Sequence, residues 1–332
     1  PAFGGTTTSY TSSVANSVDS VKVTPTTGHA GATIEVGGVG VTSGEESGDI
    51  ELTEGGQTTI SVVVTAQDET TTKTYQLVVS RAASADATLS GLATTGTLGS
   101  TFSVSSLSYT MSVANGVTSV GFTPASASSV ATITANGASV SSGTAWSLDA
   151  VAGATVTATF VVLAQDGVTT KTYTVAVTRA ASSVSTLGGL VTSAGVLSPS
   201  FVAGTLSYSL AIANGVASVR LTPTSTHGSA ALTVDAVAVP SGQASGLLAV
   251  AEGATRTVPV VVTAQDGETK TTYNVAVTRA SSTNALLGSL SASGGSLSPV
   301  FNANTVAYTM AVASTVSTTT VGISTAHGGA AC

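Results

Sequence analysis

The chain has 332 residues, a formal net charge of −7, and only 8% charged residues against 42% hydrophobic residues. The hydrophobic content disfavours a disordered chain, and the acidic balance with scattered basic residues disfavours binding to nucleic acid. No apolar run approaches the roughly 20 residues that a membrane-spanning helix needs, so we predict no membrane span.

Aromatic and basic residues recur along the whole chain at intervals of 98 to 100 residues. The recurring positions are Phe3, Phe102, Phe201 and Phe301; Tyr10, Tyr109, Tyr208 and Tyr308; Tyr75, Tyr173 and Tyr273; and Arg81, Arg179 and Arg279. Such regularity predicts tandem copies of one structural unit of about 99 residues. The recurring Phe and Tyr residues are predicted core anchors, because they are the largest side chains among Val, Ala, Ile and Leu.

The register of these positions divides the chain into four predicted segments, named repeats 1 to 4. Repeat 1 (1–83) is a β-sandwich repeat that lacks its first strand, and repeat 4 (283–332) is the N-terminal part of a further repeat. Repeat 2 (84–182) and repeat 3 (183–282) are complete.

Repeat 2 shows the elements of the unit in chain order. Apolar residues alternate within short segments, and Asn115-Gly116 and Asn136-Gly137 are turn signals between them. The predicted strands cover 88–99, 108–113, 117–123, 131–135, 146–148, 156–163 and 173–178. No segment has the 3.6-residue period of a helix. The sequence therefore predicts an all-β fold of tandem immunoglobulin-like or cadherin-like β-sandwiches, with about seven strands each.

The last two strands of the unit form a hairpin that occurs three times, at 61–81, 160–179 and 260–279. Each copy has a run of β-branched residues, an Ala-Gln-Asp corner and a polar turn, and its second strand runs from Tyr to Arg. Two copies place Asp-Gly at the tip, which favours a tight hairpin.

Several motifs in fixed order resemble the bacterial cadherin-like β-sandwich repeats of cell-surface and secreted proteins. They are LGGLVTSAGVLSPSF at 187–201, LSYSLAIANGV at 206–216 and TAQDGETKTTYNVAVTR at 263–279. The resemblance covers essentially the whole chain. It implies tandem arrays, an extracellular or cell-surface location and a role in attachment or scaffolding, and it implies neither an enzyme activity nor a cofactor.

The two ends of the chain are equivalent stretches of the repeat, since residues 1–34 align with 299–332. We expect the chain to be a window of a longer array. The alternative is that neighbouring subunits complete each other, because an open sheet edge in repeat 1 can accept a strand from a partner. The first strand of repeat 4, within 283–298, is present in full.

Contacts between repeats are predicted from the Asp and Arg of the hairpin. In a sandwich of this type, the hairpin tip lies at one pole and the terminal Arg at the other. We therefore expect Arg81 near Asp166 and Arg179 near Asp266. Exposed pairs of this kind stabilise by only about 0–1 kcal/mol, so their role would be orientation.

No other constellation indicates chemistry. Calcium at a junction would need several carboxylates, and each junction repeats one Asp, while the acidic cluster at 45–54 is expected to be a solvated loop. His29, His227 and His327 share an aligned position without Cys or carboxylate neighbours, so no metal site is predicted. The only cysteine is Cys332, which gives no disulfide framework, and no nucleophile motif occurs.

These observations favour a non-enzymatic structural protein, a segment of an extracellular filament or cell-surface fibre that self-associates through its repeats or open sheet edges. Because the chain has so few charged residues, we expect much of its surface to be apolar. Broad apolar surface indicates contact with another molecule. One alternative is the stalk of a surface adhesin whose binding tip lies outside this sequence. Another is a carbohydrate-binding module of a secreted enzyme, although Trp146 is the only Trp. Surface glycans and other cell-surface proteins are the remaining candidate partners.

Overall fold

The structure is a computed structural model that describes residues 3, 4, 6–329 and 331. Every regular element in this part of the chain is a β-strand, because period-two alternation of β-branched and aromatic residues buries one face of each segment. The predicted all-β sandwich fold is confirmed. The chain divides into two compact units, Pro1–Ala181 and Ser182–Cys332. None of the described elements is a helix long and apolar enough to cross a membrane.

In the first unit, the described residues of repeat 1 form seven strands in two sheets. They are β1 (Ser9–Val14), β2 (Ser20–Val21), β3 (Thr33–Val36), β4 (Val39–Val41), β5 (Ile50–Glu51), β6 (Gln57–Thr65) and β7 (Thr72–Arg81). The larger sheet has the order β1-β7-β6-β3-β4, in which β1 runs parallel to β7, and the smaller sheet pairs β2 with β5. The hairpin β6–β7 is therefore the centre of the larger sheet.

Repeat 2, in the same unit, adds a first strand to this plan. Its strands are β8 (Leu89–Thr94), β9 (Ser108–Val113), β10 (Ser119–Ser126), β11 (Thr132–Ala135), β12 (Ala138–Val140), β13 (Trp146–Asp149), β14 (Thr155–Leu163) and β15 (Thr170–Arg179). The sheets are β9-β15-β14-β11-β12 and β13-β10-β8. The predicted strand end at Pro124 is wrong, since β10 continues to Ser126. Only Ser119 to Phe122 pair with β13, so Pro124 removes no donor from that ladder.

The second unit repeats the plan in repeat 3 and begins it again in repeat 4. The strands are β16 (Leu187–Thr192), β17 (Leu197–Ser198), β18 (Ser207–Ile212), β19 (Ser218–Val219), β20 (Leu221–Ser225), β21 (Ala231–Val234), β22 (Val237–Ala238), β23 (Leu248–Ala249), β24 (Thr255–Thr263), β25 (Lys270–Arg279), β26 (Leu287–Ala292), β27 (Leu297–Ser298), β28 (Thr309–Met310) and β29 (Val321–Thr325). The large sheet of repeat 3 is β17-β18-β25-β24-β21-β22. In repeat 4, β26 pairs with β29 and β27 with β28.

The core of repeat 2 lies between its two sheets and is rich in aromatic contacts. Tyr173, Phe122 and Phe160 are fully buried. Trp146 packs edge-on against Phe160, with ring centroids 5.8 Å apart. The only Trp of the chain therefore belongs to the packing of this sandwich.

The predicted core anchors differ in burial. Tyr109, Tyr173, Tyr208 and Tyr273 are buried, whereas Phe102, Phe201, Tyr10, Tyr75, Phe301 and Tyr308 are partly buried. Phe3 is 72% exposed, so its assignment to the core is wrong. Its ring stacks on Tyr10 at 5.6 Å and lies 5.7 Å from Tyr75, on the side of repeat 1 where the described residues form no strand equivalent to β8.

In each complete repeat, the hairpin tyrosine also holds the first strand of the same repeat. The Tyr173 hydroxyl accepts a hydrogen bond from the Leu89 amide at 3.1 Å and donates to the Val104 carbonyl at 3.3 Å. In the second unit, the Tyr273 hydroxyl accepts from the Leu187 amide at 3.1 Å. The first strand is therefore fixed to the hairpin by one buried polar group as well as by its leucines.

Replacing Leu89 by Ala should lower the free energy of unfolding of repeat 2 by about 2–5 kcal/mol, because it removes a fully buried side chain from the core. Urea unfolding followed by Trp146 fluorescence measures this, since that indole packs in the same repeat. The control is Val168→Ala at an 81% exposed position, which should stay within about 0.5 kcal/mol of wild type. Equal losses in the two variants would contradict the assigned core.

Candidate functional site: the joint between repeats

The repeated Asp of each hairpin shapes its own turn. The Asp166 carboxylate accepts hydrogen bonds from the amides of Val168 at 2.9 Å and Thr169 at 2.8 Å, and from the Thr169 hydroxyl at 2.6 Å. Asp68 and Asp266 accept the same three bonds from residues two and three positions ahead. The repeated Asp is thus a turn-capping residue.

These bonds favour the charged form of each carboxyl group. The hydroxyl and the amide of Thr71, together with the amide of Thr70, lower the pKa of Asp68 to about 2. The pKa values of Asp166 and Asp266 are lowered as well, chiefly by the hydroxyls of Thr169 and Thr269. Hydrogen bonding to the anion is the common cause.

The repeated Arg binds carbonyl groups of its own repeat. The Arg81 Nε donates to the Asn16 carbonyl at 2.8 Å, and its Nη1 donates to the Leu52 carbonyl at 3.1 Å. In repeat 2, Arg179 donates in the same way to the carbonyls of Asn115 and Ala150, each at 2.8 Å. The Arg therefore secures the loops at the end of its own sandwich.

The contact between repeats 1 and 2 is made by Gln165, next to the repeated Asp. Its side-chain oxygen accepts from the Ser84 amide at 2.9 Å, and its side-chain nitrogen donates to the Glu54 carbonyl at 3.1 Å. The Asp166 amide donates to the Ser84 carbonyl at 3.1 Å. One hairpin corner of repeat 2 thus binds the main-chain amide and carbonyl of the linker serine and the turn between β5 and β6 of repeat 1.

A glycine makes room for this contact. Gly55 has a positive φ of 66°, and a Cβ atom there would lie 2.6 Å from the Gln165 Nε2. The same turn is tied to its own repeat, since Asn16 donates to the Glu54 carboxylate at 2.9 Å and to the Ala82 carbonyl at 3.1 Å. The joint therefore depends on close backbone approach at residue 55.

The second unit contains the same arrangement around its own linker serine. The Ser182 amide donates to the Gln265 side-chain oxygen at 3.0 Å, and the Asp266 amide donates to the Ser182 carbonyl at 3.1 Å. Ser182 is 2% exposed and Ser84 is 7% exposed. The corner and the linker are thus built alike in both units.

The predicted charge contact does not form as an ion pair in the first unit. Among the described residues, no ion pair links Arg81 to Asp166, because the hairpin turn engages the carboxylate and carbonyls of repeat 1 engage the guanidinium. The approach of Arg179 to Asp266 stays a prediction. Sequence reasoning missed Gln165, although the same Gln recurs at positions 67 and 265 beside each Asp.

The aligned histidines also have a local role. The Nδ1 atoms of His29, His227 and His327 each accept a hydrogen bond from the amide two residues ahead, at 3.1, 3.3 and 3.2 Å. Ser128, at the same position in repeat 2, accepts the equivalent bond with its hydroxyl. In the second unit, the His327 Nε2 also lies 2.9 Å from the Glu252 carboxylate.

The acidic cluster at 45–54 is partly neutralised by a single lysine. The Lys22 ammonium lies 3.5 Å from the Glu46 carboxylate and 3.9 Å from that of Asp49, and all three side chains are largely exposed. Glu54, at the end of the cluster, takes part in the joint through its carbonyl. Within the described ranges, no group of three or more His, Cys, Asp or Glu side chains could hold a metal ion.

The two-sheet sandwiches, the parallel pairing of β1 with β7 and the repeated corner define the class of tandem immunoglobulin-like β-sandwich proteins. The family model described as Cadherin-like beta sandwich domain matches residues 1–82, 85–180 and 184–280. The chain therefore belongs to this family, and the cadherin-like resemblance of the sequence is confirmed. Comparison with curated proteins finds no match.

Solved structures with a similar fold include extracellular adhesion domains. The protocadherin GammaB4 extracellular domain is 11% identical, with a TM-score of 0.31 over 87% of this chain and 50% of that chain. Sidekick-1 immunoglobulin domains 1–5 are 9% identical, with a TM-score of 0.27 over 87% and 61%. Drosophila N-cadherin EC1-3 is 10% identical, with a TM-score of 0.30 over 82% and 98%. The chain thus spans half of the first structure and about three fifths of the second.

Replacing Gly55 by Ala should open the joint between repeats 1 and 2. The variant has a Cβ atom in the space of the Gln165 amide, so the Ser84 amide should exchange with solvent about tenfold faster, as the loss of one hydrogen bond implies. Hydrogen exchange measured by NMR detects this. Gln165→Ala should have the same effect. Gly44→Ala is the matched control, since Gly44 has φ +90 and nothing within 4 Å of an added Cβ, and it should leave Ser84 unchanged.

The pKa of Asp68 predicts the direction of acid sensitivity in the first hairpin. The folded value of about 2 lies below the ordinary value, so this carboxylate stabilises the fold fully above pH about 4 and loses that effect as pH falls towards 2. Titration of the side-chain carboxyl carbon by NMR should give a midpoint near 2. The control Thr71→Val removes the hydroxyl donor and should raise the midpoint. An ordinary midpoint in wild type would contradict the assigned turn.

Proposed function

We propose that the chain is a non-enzymatic segment of an extracellular filament or cell-surface fibre. The observation that carries this proposal is the joint, in which a buried linker serine is bound through both its amide and its carbonyl by the Gln-Asp corner. A linker fixed in this way limits the freedom of the chain around it. A restricted linker suits a protein whose successive repeats keep a fixed arrangement along an array.

The surface supports self-association. Large apolar side chains stand exposed on several repeats, among them Val168 (81%), Val196 (81%) and Val306 (99%). The chain has only nine basic and sixteen acidic side chains, so these positions have few charged neighbours to keep copies apart. Broad apolar surface of this kind favours contact with other protein surfaces.

The pKa values of the repeated Asp carboxyl groups support a structural role over an enzymatic one. The repeated carboxyl groups have lowered pKa values because their own turns donate hydrogen bonds to them. A general acid or base at neutral pH needs a raised carboxyl pKa in a cleft. Trp146, the side chain best suited to stack on a sugar, packs against Phe160 and Phe122 in repeat 2.

Negative-stain electron microscopy of the protein at increasing concentration tests this function. We expect ordered filaments whose subunit repeat reflects the tandem sandwiches. Single particles of one length at every concentration would favour the adhesin stalk instead. Saturable binding to a glycan array, abolished by substitution of an exposed aromatic residue, would favour the carbohydrate-binding module.

A further inference from the structure

Repeats 2 and 3 each contain one pair of parallel strands. In repeat 2, β9 and β15 run side by side in the same direction over six residues each, from Ser108 beside Thr174 to Val113 beside Arg179. In repeat 3, β18 and β25 are paired in the same way. The other ladders of these two repeats are antiparallel. The parallel pair is thus a distinct feature of the unit.

The two strands of this pair are connected to opposite ends of the repeat. The chain enters repeat 2 at Ser84, which Gln165 and Asp166 bind at the hairpin tip. It leaves through the last residue of β15, Arg179, at the opposite end of the hairpin. Because β9 precedes β15 in the chain, a pull on both ends of the repeat draws β9 towards the tip and β15 away from it.

Such a pull makes the two strands slide along each other. The hydrogen bonds of a ladder connect neighbouring strands at regular intervals, so sliding strains all of them at the same time. A pull that separates two strands from one end breaks the bonds one after another. Sliding therefore meets a higher barrier than peeling, although the same bonds are lost.

The first strand of repeat 2, β8, lies before the parallel pair on the path of this force. It pairs with β10, and its ladder has a register shift between Ala125 and Ser126, whereas the ladder of β9 with β15 is continuous. Release of β8 straightens only residues 84–107 and leaves the parallel pair intact. The parallel pair therefore has to slide before the rest of the repeat can unfold.

Sliding of the pair also exposes apolar side chains. Tyr109 and Met111 of β9 are 3% and 1% exposed, and Val175 and Val177 of β15 are fully buried. Side chains of a strand alternate between the two faces, so a slip by one residue turns the buried side chains of the moving strand away from the core. The ladder and the core thus resist the same movement.

The exit end of the pair is reinforced by the repeated Arg and by an Asn. The Ala180 amide donates to the Val113 carbonyl at 2.9 Å, which continues the ladder past the end of β15. The Asn115 side chain donates to the Ala180 carbonyl at 3.0 Å, and the Arg179 Nε donates to the Asn115 carbonyl at 2.8 Å. These bonds join the turn after β9 to the segment through which the chain leaves the repeat, where the pull is applied.

Repeat 3 has the same reinforcement. The Ala280 amide donates to the Ile212 carbonyl at 3.0 Å, and the Asn214 side chain donates to the Ala280 carbonyl at 3.0 Å. The Arg279 Nε donates to the Asn214 carbonyl at 2.7 Å. The exit segment of each complete repeat is therefore tied to its parallel pair by the same three bonds.

We propose that each complete repeat resists tension along the chain, and that its parallel strand pair, β9 with β15 or β18 with β25, supplies the resistance. The Asn and the Arg at the exit end carry the pull from the linker into the ladder. This inference goes beyond the proposed function, because tension acts on the pair alike in a filament, in a stalk or in a single chain. Absence of filaments would therefore leave it standing.

Unfolding of the full chain in optical tweezers tests the direction of this resistance. One handle is attached at Cys332, the only cysteine, and the other at a cysteine introduced by Gly116→Cys, where nothing lies within 4 Å of an added Cβ. Repeat 2 is then pulled from one end of its parallel pair, whereas repeat 3 is pulled along its pair. Repeat 2 releases roughly 215–235 Å of extended chain and repeat 3 roughly 330–360 Å, which identifies the two steps.

At the same force, we expect the shorter step to occur at least about tenfold faster than the longer one, because its bonds break in succession. With the first handle moved to the N-terminus, repeat 2 is pulled along its pair and should give the slower, longer step as well. Unfolding of repeat 2 at equal rates from both attachment points would overturn the inference.

Two asparagine variants, pulled from the N-terminus, separate resistance to force from ordinary stability. Asn115→Ala removes the bond to Ala180 and should make repeat 2 unfold about tenfold faster at a given force. The matched control is Asn136→Ala, which removes the bond from the Thr159 amide in another turn. It should lower the urea midpoint followed by Trp146 fluorescence and leave the forced rate unchanged, because that turn is intact when the pair slides. No acceleration by Asn115→Ala, or equal acceleration by both variants, would contradict the proposal.

Discussion

Burial of one face of the long hairpin is the interaction on which each repeat depends. In β14 and β15, Phe160, Val162, Tyr173, Val175 and Val177 are fully buried, and they pack against the smaller sheet. This burial fixes the orientation of the hairpin in the sandwich. It therefore decides which end of the repeat carries the hairpin tip and which end carries the terminal Arg. Its tip presents the Gln-Asp corner to the preceding linker, while its terminal Arg holds the loops at the opposite end. Core packing thus sets the geometry of the joint.

The strands and their inward faces could be predicted from the sequence because side chains of a strand alternate with period two. Val120 and Phe122, expected to point inward, are 1% and 0% exposed. Pro124 was misleading, because whether a proline ends a strand depends on where the neighbouring strand stops. That information is not local to the sequence.

The joint was harder to predict, because its partners are main-chain atoms. Arg81 and Asp166 attract attention as opposite charges, yet each is satisfied within its own repeat. Gln165 binds the Ser84 amide and the Glu54 carbonyl, and no side-chain pattern marks either of these groups. The recurrence of Gln beside Asp in all three hairpins was the available signal. The histidines are similar, since their role is a bond to the amide two residues ahead.

Because Gln165 binds main-chain atoms, the joint tolerates substitution of the residue whose carbonyl it binds. The residue whose main-chain carbonyl is bound is Glu54 in repeat 1, and the aligned residues are Ala152 and Glu252. Because a carbonyl is common to every amino acid, substitutions there do not remove the acceptor. The corner can therefore engage its neighbour whatever side chain stands at residue 54, whereas residue 55 has to remain glycine because the Gln165 amide approaches its backbone closely.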